Sequence, residues 1–329
     1  MRVTIFGSKS EHNPASFEPA RDIPSLADRV VLITGAAGDL GRVTATQLAK
    51  YGRPARIYVA DLPPRDEGGR EAVEGGNKTE IRFLDLDLGS FESVQQCAAN
   101  FTSKEDRLDL MILNAGIIRV KPGVTKEGYE SHFGINYVGH ALLTRLLMPV
   151  MLRTAKQQQQ QQGEGDTTTR RGRLVIVSSE GWAMAPKGGI LFDKVKSDCA
   201  DMGYLRRYGQ SKLALIHLTK HLAKLHPEID IVALHPGRVN TGMGTELGKE
   251  SLLVRLTAPL APFLSVDPDE GARNHLWTAT SPNVVSGKYY EPVGVPDKEG
   301  ATARDDEMKE ALMQWTDNEL KGVAAPPSE

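Results

Sequence analysis

The sequence RVVLITGAAGDLG, residues 29–41, joins a run of apolar, mostly β-branched residues to a glycine-rich turn. Gly35, Gly38 and Gly41 allow the backbone to turn sharply, and the amphipathic residues that follow predict a helix. Such a turn presents backbone N–H groups at the positive end of a helix dipole, where phosphate groups bind. The stretch therefore predicts a strand, a phosphate-binding turn and a helix. A purely structural turn is the alternative.

The chain repeats this alternation of short apolar runs and longer amphipathic stretches to about residue 290. Alternation of this kind indicates βαβ units, which build a parallel sheet. We predict an α/β, Rossmann-type, doubly wound fold with a seven-stranded parallel sheet and helices on both faces. The predicted strands are Arg29–Thr34, Ala55–Asp61, Ile81–Leu84, Leu108–Leu113, Arg173–Ser178, Ile229–Ala233 and Lys288–Tyr290. The predicted helices are Leu40–Tyr51, Ser90–Phe101, Lys126–Arg153, Gly203–Leu225 and Pro268–Thr280.

No linker interrupts the alternation, so we predict a single dinucleotide-binding catalytic domain over residues 29–295. Residues 1–28 are then an N-terminal extension, and residues 296–329 a C-terminal helix and tail. A glutamine run, Gln157–Gln162, opens a polar low-complexity stretch with too little apolar surface to fold. It predicts a solvated loop over residues 157–172.

Composition excludes several classes of protein. The 329 residues carry 40 basic and 42 acidic side chains, a balance that gives no field to attract nucleic acid. No run of eighteen apolar residues occurs, so we expect no transmembrane segment. Two cysteines, Cys97 and Cys199, exclude a disulfide framework, and residues 1–28 lack the apolar core of a secretory signal. We expect a cytoplasmic protein.

An acidic residue, Asp61, ends the second predicted strand 20 positions after Gly41. A carboxylate at this place accepts hydrogen bonds from adenosine ribose hydroxyls and repels a 2′-phosphate. The predicted ligand is a dinucleotide, and NAD(H) is favoured over NADP(H). Because Arg42 and Arg65 lie close by in the sequence, NADP(H) stays an alternative.

Tyr208 and Lys212 stand four residues apart in YGQSK, at the start of a long helical pattern. This spacing places the phenol and the ammonium group on one helical face. The pKa of a free phenol is about 10, and an adjacent cation lowers it by stabilising the phenolate. The two residues are therefore a candidate acid–base pair, although the same spacing is common on surface helices.

Other polar motifs fall at the ends of predicted strands or in the helices that follow, where ligands bind in open α/β sheets. They are Asn114-Ala115-Gly116, Asn136 in INYVG, Ser178-Ser179, and His235-Pro236-Gly237 followed by Val239-Asn240-Thr241. In this order the set resembles the short-chain dehydrogenase/reductase family over roughly residues 28–295. The stretches DIPSLADRVVLITG, LDLGSFESV, SSEG, GGILFDKVKSD and YGQSKLALIHLTK are most similar to its retinol-dehydrogenase-like branch, including fungal members.

The resemblance implies that Ser179 and Tyr208 bind the carbonyl oxygen of a substrate and that Tyr208 gives or takes the proton. It implies that Lys212 holds the nicotinamide ribose and that Asn136 anchors a proton-relay water. No metal is implied. The cofactor-binding residues that it implies are Gly35, Gly38, Asp39, Leu40, Gly41, Asp61, Asp87, Leu88, Asn114, Ala115, Gly116, Tyr208, Lys212, Pro236, Gly237, Val239 and Thr241.

Three features depart from the family pattern. Asp39 occupies the penultimate glycine position of the usual TGxxxGxG turn, where a carboxylate facing a pyrophosphate weakens binding, so we expect it to point away. Trp182 stands where many members of the branch have a histidine, so we expect the shape of the accepted substrate to differ. The interval from Ser179 to Tyr208 is 29 positions, and its extra segment GGILFDKVKSDCADMGYLRR is expected to line or cover the pocket mouth.

Met243–Val266 resembles the family's substrate lid, which we place at about residues 240–266. Its apolar residues favour a hydrophobic or aromatic substrate, with core packing or a membrane-surface helix as alternatives. His217, His221 and His226 lie on or beyond the helix that carries Tyr208. From about 100° per residue, the first two face away from Tyr208, which predicts a solvated or subunit-packing face.

These features predict an NAD(P)-dependent enzyme that transfers hydride between a nicotinamide cofactor and a carbonyl or alcohol group. The predicted substrate is a hydrophobic or aromatic small molecule, by resemblance in natural-product metabolism. An NADPH-dependent carbonyl or retinoid-type reductase is the second hypothesis. A non-catalytic dinucleotide-sensing or scaffold protein is the third, which the intact catalytic set disfavours. By resemblance, a homodimer through the helices after the fourth and fifth strands is also expected.

Overall fold

A computed structural model describes residues 13–63, 79–161, 171–237 and 268–323. Its strands are β1 Val30–Thr34, β2 Arg56–Asp61, β3 Glu80–Asp85, β4 Leu110–Leu113, β5 Arg173–Val177, β6 Asp230–Leu234 and β7 Tyr289–Tyr290. They form one sheet in the order β3-β2-β1-β4-β5-β6-β7, and all neighbouring pairs are parallel. The chain starts in the middle of the sheet and builds to one edge, then to the other. The predicted seven-stranded, doubly wound fold is confirmed.

Helices of the described residues cover both faces of this sheet. They are α1 Pro19–Asp22, α2 Asp39–Gln47, α3 Phe91–Thr102, α4 Gly139–Gln161, α5 Tyr204–Leu225, α6 Pro268–Thr280 and α7 Asp306–Glu319. Two segments are π-helical, Leu48–Gly52 after α2 and Phe133–Val138 before α4, and two are short 3-10 helices, Glu180–Met184 and Ala301–Arg304. Residues of α2 and α6 belong to one hydrophobic core, and those of α3, α4, α5 and α7 to the other.

Strand β1 shows why the apolar run predicted a central strand. Val30 and Leu32 belong to the core under α3, α4 and α5, whereas Val31 and Ile33 belong to the core under α2 and α6. Successive side chains of a strand point to opposite faces, and helices cover both faces here. Every residue of β1 is therefore buried, and the sequence shows a continuous apolar run.

The predicted helix Lys126–Arg153 begins too early and ends too early, since the observed helix continues to Gln161. Helical structure starts at Ser131 and continues into the π-helix at Phe133, after a turn in which Gly128 has a φ of 85°. The Glu130 carboxylate accepts a hydrogen bond from the Phe133 N–H at 2.8 Å, and this contact caps the first turn.

The predicted solvated loop over residues 157–172 starts too early, because α4 continues through the glutamine run to Gln161. Glutamine has good intrinsic helix propensity, so a polar run extends a helix that a core already holds. Gln158 also donates a hydrogen bond from Nε2 to the Asp109 carboxylate. Residues 162–170 lie outside the described part of the chain.

One helical segment of the described residues, Phe133–Gln160, is long and apolar enough to cross a membrane by length and composition, with a mean hydropathy of 1.2. Of its most apolar window, 72% is buried inside the protein. A helix that packs on a sheet needs such an apolar surface for the core.

The predicted solvated or subunit-packing histidine face is wrong for His217, which is fully buried. The C-terminal segment covers this side of α5: Lys220 donates hydrogen bonds to Glu299 at 2.7 Å and to the Ala303 carbonyl at 2.9 Å. Burial lowers the pKa of His217 to about 4. The sequence analysis places the C-terminal helix outside the main domain. The burial of His217 under this segment therefore could not be predicted.

Candidate active site

The glycine-rich turn lies where the winding of the sheet reverses, since β1 pairs with β2 on one side and with β4 on the other. Gly35 has a φ of 67°, and a β-carbon there would lie 2.8 Å from the Ala115 α-carbon. A β-carbon on Gly41 would lie 2.5 Å from the Gly35 carbonyl oxygen. Both positions therefore require glycine, and the turn can present bare backbone to a ligand.

The turn leads directly into the N-terminus of α2. Gly38 is the N-cap residue of α2, and its N–H donates to the Gly35 carbonyl at 3.3 Å. Asp39 is exposed as the first helical residue, and Leu40 packs against the core. The unpaired N–H groups of a first helical turn favour a phosphate, so this cradle fits a dinucleotide.

Asp61 ends β2 with its carboxylate against the same turn. Its Oδ2 accepts a hydrogen bond from the Ala37 N–H at 2.8 Å, and its Oδ1 accepts one from the Leu62 N–H at 2.8 Å. Asp61 therefore also holds the backbone of the turn, a role that sequence reasoning missed. Arg42 follows in α2, whereas Arg65 lies outside the described residues.

The residues after β4 join the turn through Thr34. The N–H groups of Asn114 and Ala115 donate to Thr34 Oγ1 at 2.9 and 3.0 Å. Asn114 Nδ2 donates in addition to the carbonyls of Thr34 and Gly35, at 3.0 and 3.2 Å. Asn114 and Ala115 thus form one rigid floor with the phosphate turn.

Asp87 and Leu88 follow β3 at the same edge of the sheet. Asp87 Oδ1 accepts a hydrogen bond from the Gly89 N–H at 2.8 Å, and Leu88 is buried. A β-carbon on Gly139 would lie 2.3 Å from the Leu88 carbonyl oxygen, so this loop packs tightly on the start of α4.

Tyr208 and Lys212 lie on α5, as predicted from their spacing. The Lys212 Nζ lies 5.6 Å from the centre of the Tyr208 ring and donates to the Val177 carbonyl, at the end of β5, at 2.9 Å. Ser179 follows that strand, and its hydroxyl stabilises the Tyr208 phenolate. A β-carbon on Gly116 would lie 3.4 Å from Lys212 Nζ, so the floor after β4 reaches this group.

The 3-10 helix Glu180–Met184 packs backbone-first against α5. A β-carbon on Gly209 would lie 2.5 Å from the Ala185 nitrogen, and one on Gly181 would lie 2.7 Å from Tyr208 Cε1. Gly181 therefore lets the phenol ring lie close against the turn that carries Ser179. This role of Gly181 could not be predicted from the SSEG motif, because the local sequence pattern does not show which side chain will lie above a glycine.

Asn136 lies in the π-helix before α4 and is fully buried. Its Oδ1 accepts from the Ile117 N–H at 2.8 Å, and its Nδ2 donates to the Ile117 carbonyl at 3.1 Å and to Ser211 Oγ at 3.0 Å. Ser211 Oγ donates to the Tyr208 carbonyl at 2.7 Å. The Asn136 side chain therefore connects the loop after β4 to α5.

The predicted lowering of the Tyr208 pKa by Lys212 is not what the structure shows. Burial raises the pKa of Tyr208, the Ser179 hydroxyl opposes this shift, and the negative charge of Glu180 adds to it. Burial also lowers the pKa of Lys212 to about 7. The physical reason is that both groups share one apolar interior, which penalises the ammonium as well as the phenolate.

Pro236 and Gly237 follow β6, and Gly237 has a φ of 88°. The backbone before them is fixed, because the His235 N–H donates to the Tyr290 carbonyl at 3.0 Å and the His235 carbonyl accepts from Asn274 Nδ2 at 2.8 Å. The predicted cofactor residues Val239 and Thr241 and the predicted lid over residues 240–266 lie outside the described residues.

His235 is buried, and one of its ring nitrogens lies near two carboxylates. One atom each from Glu180, His235 and Glu291 lie within 4.8 Å of one another. Glu291 Oε2 also accepts a hydrogen bond from the Tyr289 hydroxyl at 2.7 Å. This polar cluster borders the Ser179 turn; the absence of a metal from the reaction stays a prediction.

Trp182 packs against the C-terminal segment, since a β-carbon on Gly300 would lie 2.9 Å from its ring. The inserted segment that precedes α5 buries Ile190 and Val195 in the core. It also lines a cavity of about 380 Å³ between Pro186 and Arg206. That this inserted segment lines or covers the mouth of the substrate pocket stays a prediction.

A dinucleotide cradle beside a half-buried tyrosine, a buried lysine and a serine defines a class, the nicotinamide-dependent oxidoreductases. The short chain dehydrogenase family profile matches residues 29–185. The chain is 36% identical to an uncharacterized oxidoreductase of Schizosaccharomyces pombe, over 93% of this chain and 90% of the relative. It is 31% identical to the short-chain dehydrogenase/reductase drtF of Aspergillus calidoustus, over 91% and 96%. Retinol dehydrogenase 14 of Homo sapiens is 32% identical, over 80% and 77%.

Two solved structures share the fold at lower identity. A 3-ketoacyl-(acyl-carrier-protein) reductase from Brucella melitensis complexed with NADH gives a TM-score of 0.56 at 24% identity, over 80% of this chain and 96% of that chain. An NADPH-bound carbonyl reductase from chicken fatty liver gives a TM-score of 0.59 at 23% identity, over 85% of this chain and 97% of that chain. The chain belongs to the short-chain dehydrogenase/reductase family and is an NAD(P)-dependent oxidoreductase.

Proposed function

We propose that Tyr208 exchanges the proton in a hydride transfer between a bound nicotinamide cofactor and the carbonyl or alcohol group of an apolar small molecule. The observation that carries the proposal is the meeting of Tyr208, Lys212 and the Ser179 turn at the end of β5, beside the floor formed after β4. In open α/β sheets this edge is where ligands bind.

In the direction of reduction, a nicotinamide cofactor held by the glycine-rich turn and by the residues after β4 would supply the hydride to the carbonyl carbon. The Tyr208 hydroxyl donates its proton to the carbonyl oxygen, which gives the alcohol and leaves a phenolate that solvent reprotonates. Ser179 Oγ accepts from the Gly181 N–H at 3.1 Å, so its own proton can be donated to the same oxygen. Oxidation of the alcohol reverses these steps.

We propose that NAD(H) is the preferred cofactor. Asp61 supports this choice, because its carboxylate lies against the phosphate turn through the Ala37 N–H and would repel a 2′-phosphate. We expect a higher kcat/KM with NADH than with NADPH. In Asp61→Asn we expect the ratio of kcat/KM for NADH to kcat/KM for NADPH to fall at least tenfold. A clear preference of the natural chain for NADPH would favour the alternative, an NADPH-dependent carbonyl reductase.

The substrate is proposed to be hydrophobic or aromatic. The leucine-rich segment after the Pro236-Gly237 motif supports an apolar pocket, and the name of the similar retinol dehydrogenase 14 indicates an apolar alcohol for that relative. Natural-product metabolism is the proposed setting.

The test is a panel of aliphatic, aromatic and polar ketones and aldehydes with deuterium-labelled NADH. We expect deuterium at the carbinol carbon of apolar products, with higher kcat/KM than for polar compounds of equal size. Preference for sugars or amino acids would contradict the substrate class. No label transfer to any carbonyl, with NADH bound, would contradict the proposed reaction.

A further inference from the structure

His140, the second residue of α4, is fully buried and lies outside the catalytic set. Its ring contacts two parts of the site at once. Nε2 lies 2.9 Å from Thr34 Oγ1 at the end of β1, and Nδ1 lies 2.9 Å from the Asn136 carbonyl oxygen in the π-helix.

The hydrogen bonds around this ring fix its proton. The Asn136 carbonyl can only accept, so Nδ1 must carry the hydrogen. Thr34 Oγ1 already accepts from the N–H groups of Asn114 and Ala115, at 2.9 and 3.0 Å. Its two lone pairs are then used, and its own proton must go to Nε2 of His140. The network therefore assigns the neutral Nδ1–H tautomer, the opposite of the form that free histidine prefers.

Burial supports a neutral ring. It lowers the pKa of His140 to about 4, and the positive charge of nearby Lys212 acts in the same direction. Protonation at Nε2 would also break the bond from Thr34, because both partners would then be donors. The bridge therefore stays intact throughout the neutral pH range.

This bridge closes a continuous path through the site. On one side Thr34 holds the floor of the phosphate turn through Asn114 and Ala115. On the other side Asn136 donates to Ser211 Oγ at 3.0 Å, and Ser211 donates to the Tyr208 carbonyl at 2.7 Å.

We propose that His140 is a positioning residue that holds the cofactor turn and the catalytic helix in one register, by bridging the Thr34 hydroxyl and the Asn136 carbonyl. The proposal rests on the proposed hydride transfer for its kinetic consequences. Its structural part, the bridge in a fixed tautomer, stands apart from any activity.

The first test measures the tautomer by 15N NMR of histidine-labelled protein, with the His140 signals assigned from their absence in His140→Gln. We expect a protonated Nδ1 and an unprotonated Nε2 that do not titrate between pH 6 and 8. An Nε2–H tautomer, or titration near the pKa of free histidine, would overturn the bridge. This readout requires no substrate, so it is independent of the proposed function.

The second test compares His140→Leu, His140→Gln and the control His217→Leu, which removes another fully buried histidine on the outer side of α5. Per folded molecule, we expect kcat/KM to fall at least tenfold in His140→Leu and at most threefold in His140→Gln, because glutamine retains one donor and one acceptor. His217→Leu should stay within twofold of the natural chain.

Equal losses in His140→Leu and His217→Leu, or no rescue by His140→Gln, would overturn the positioning role. If His140→Leu does not fold, the kcat/KM of His140→Gln relative to the natural chain and the tautomer measured by 15N NMR still test the proposal. A natural chain without label transfer to any carbonyl, but with the expected tautomer, would contradict the proposed function and leave the bridge standing.

Discussion

A single methyl group at residue 181 tests how closely Tyr208 must be held. A β-carbon on Gly181 would lie 2.7 Å from Tyr208 Cε1 and 3.3 Å from Ser179 Oγ. Since relaxed carbon contacts lie at about 3.5–4.0 Å, Gly181→Ala must displace the ring or the turn by about 1 Å. Misplacement of a catalytic group by about 1 Å costs roughly 100-fold in rate, and overpacking costs about 1–3 kcal/mol of stability.

The assay compares kcat and NADH affinity in Gly181→Ala and in the control Gly203→Ala. Gly203 caps α5 at a φ of −61°, and a β-carbon there would meet no atom within 4 Å. We expect kcat to fall 10- to 100-fold in Gly181→Ala, with the Kd for NADH within twofold, and no change in Gly203→Ala. Natural kcat in a folded Gly181→Ala protein would refute the close packing of Tyr208 on this turn.

Other outcomes follow from the charges and packing of the described residues. Asp39→Gly should bind NADH as well as or better than the natural chain, because it removes a carboxylate next to the phosphate turn; a large loss of affinity by calorimetry would give Asp39 a positive role. Glu180→Gln removes a charge that raises the pKa of Tyr208, so the tyrosine limb of the pH–rate profile should move to lower pH, and a shift to higher pH would contradict this sign. In place of the homodimer expected by resemblance we predict a monomer in sedimentation, because α7 packs beside α4, with the ring centres of Trp315 and Phe133 5.6 Å apart; a dimer through α4 and α5 would contradict this.

The fold could be predicted from sequence because the central strands are covered on both faces. Each appears as a short apolar run, and the glycine turn fixes where the first strand ends. The glutamine run is wrongly predicted as a loop because it has no apolar periodicity. It is helical because it continues α4, whose earlier residues are packed in the hydrophobic core. Likewise, nothing in the local pattern of His217 shows that residues near 300 cover it.

The geometry of the candidate site could be predicted where it depends on residues close in sequence, such as Tyr208 and Lys212 on one helix. Contacts between distant segments could not. The bond from the Ala37 N–H to Asp61 spans 24 positions, and the bridge from Thr34 to His140 spans 106. The sign of the Tyr208 pKa shift was also missed, since it depends on burial and on Glu180 rather than on helical spacing.

The most direct measurement of the central claim is single-turnover hydride transfer in Tyr208→Phe, with NADH affinity measured on the same sample. Loss of a positioned general acid costs about 10²–10⁴-fold. We predict a fall in that range, with the Kd for NADH within twofold of the natural chain. Transfer at the natural rate in this variant would contradict the assignment of Tyr208 as the proton donor.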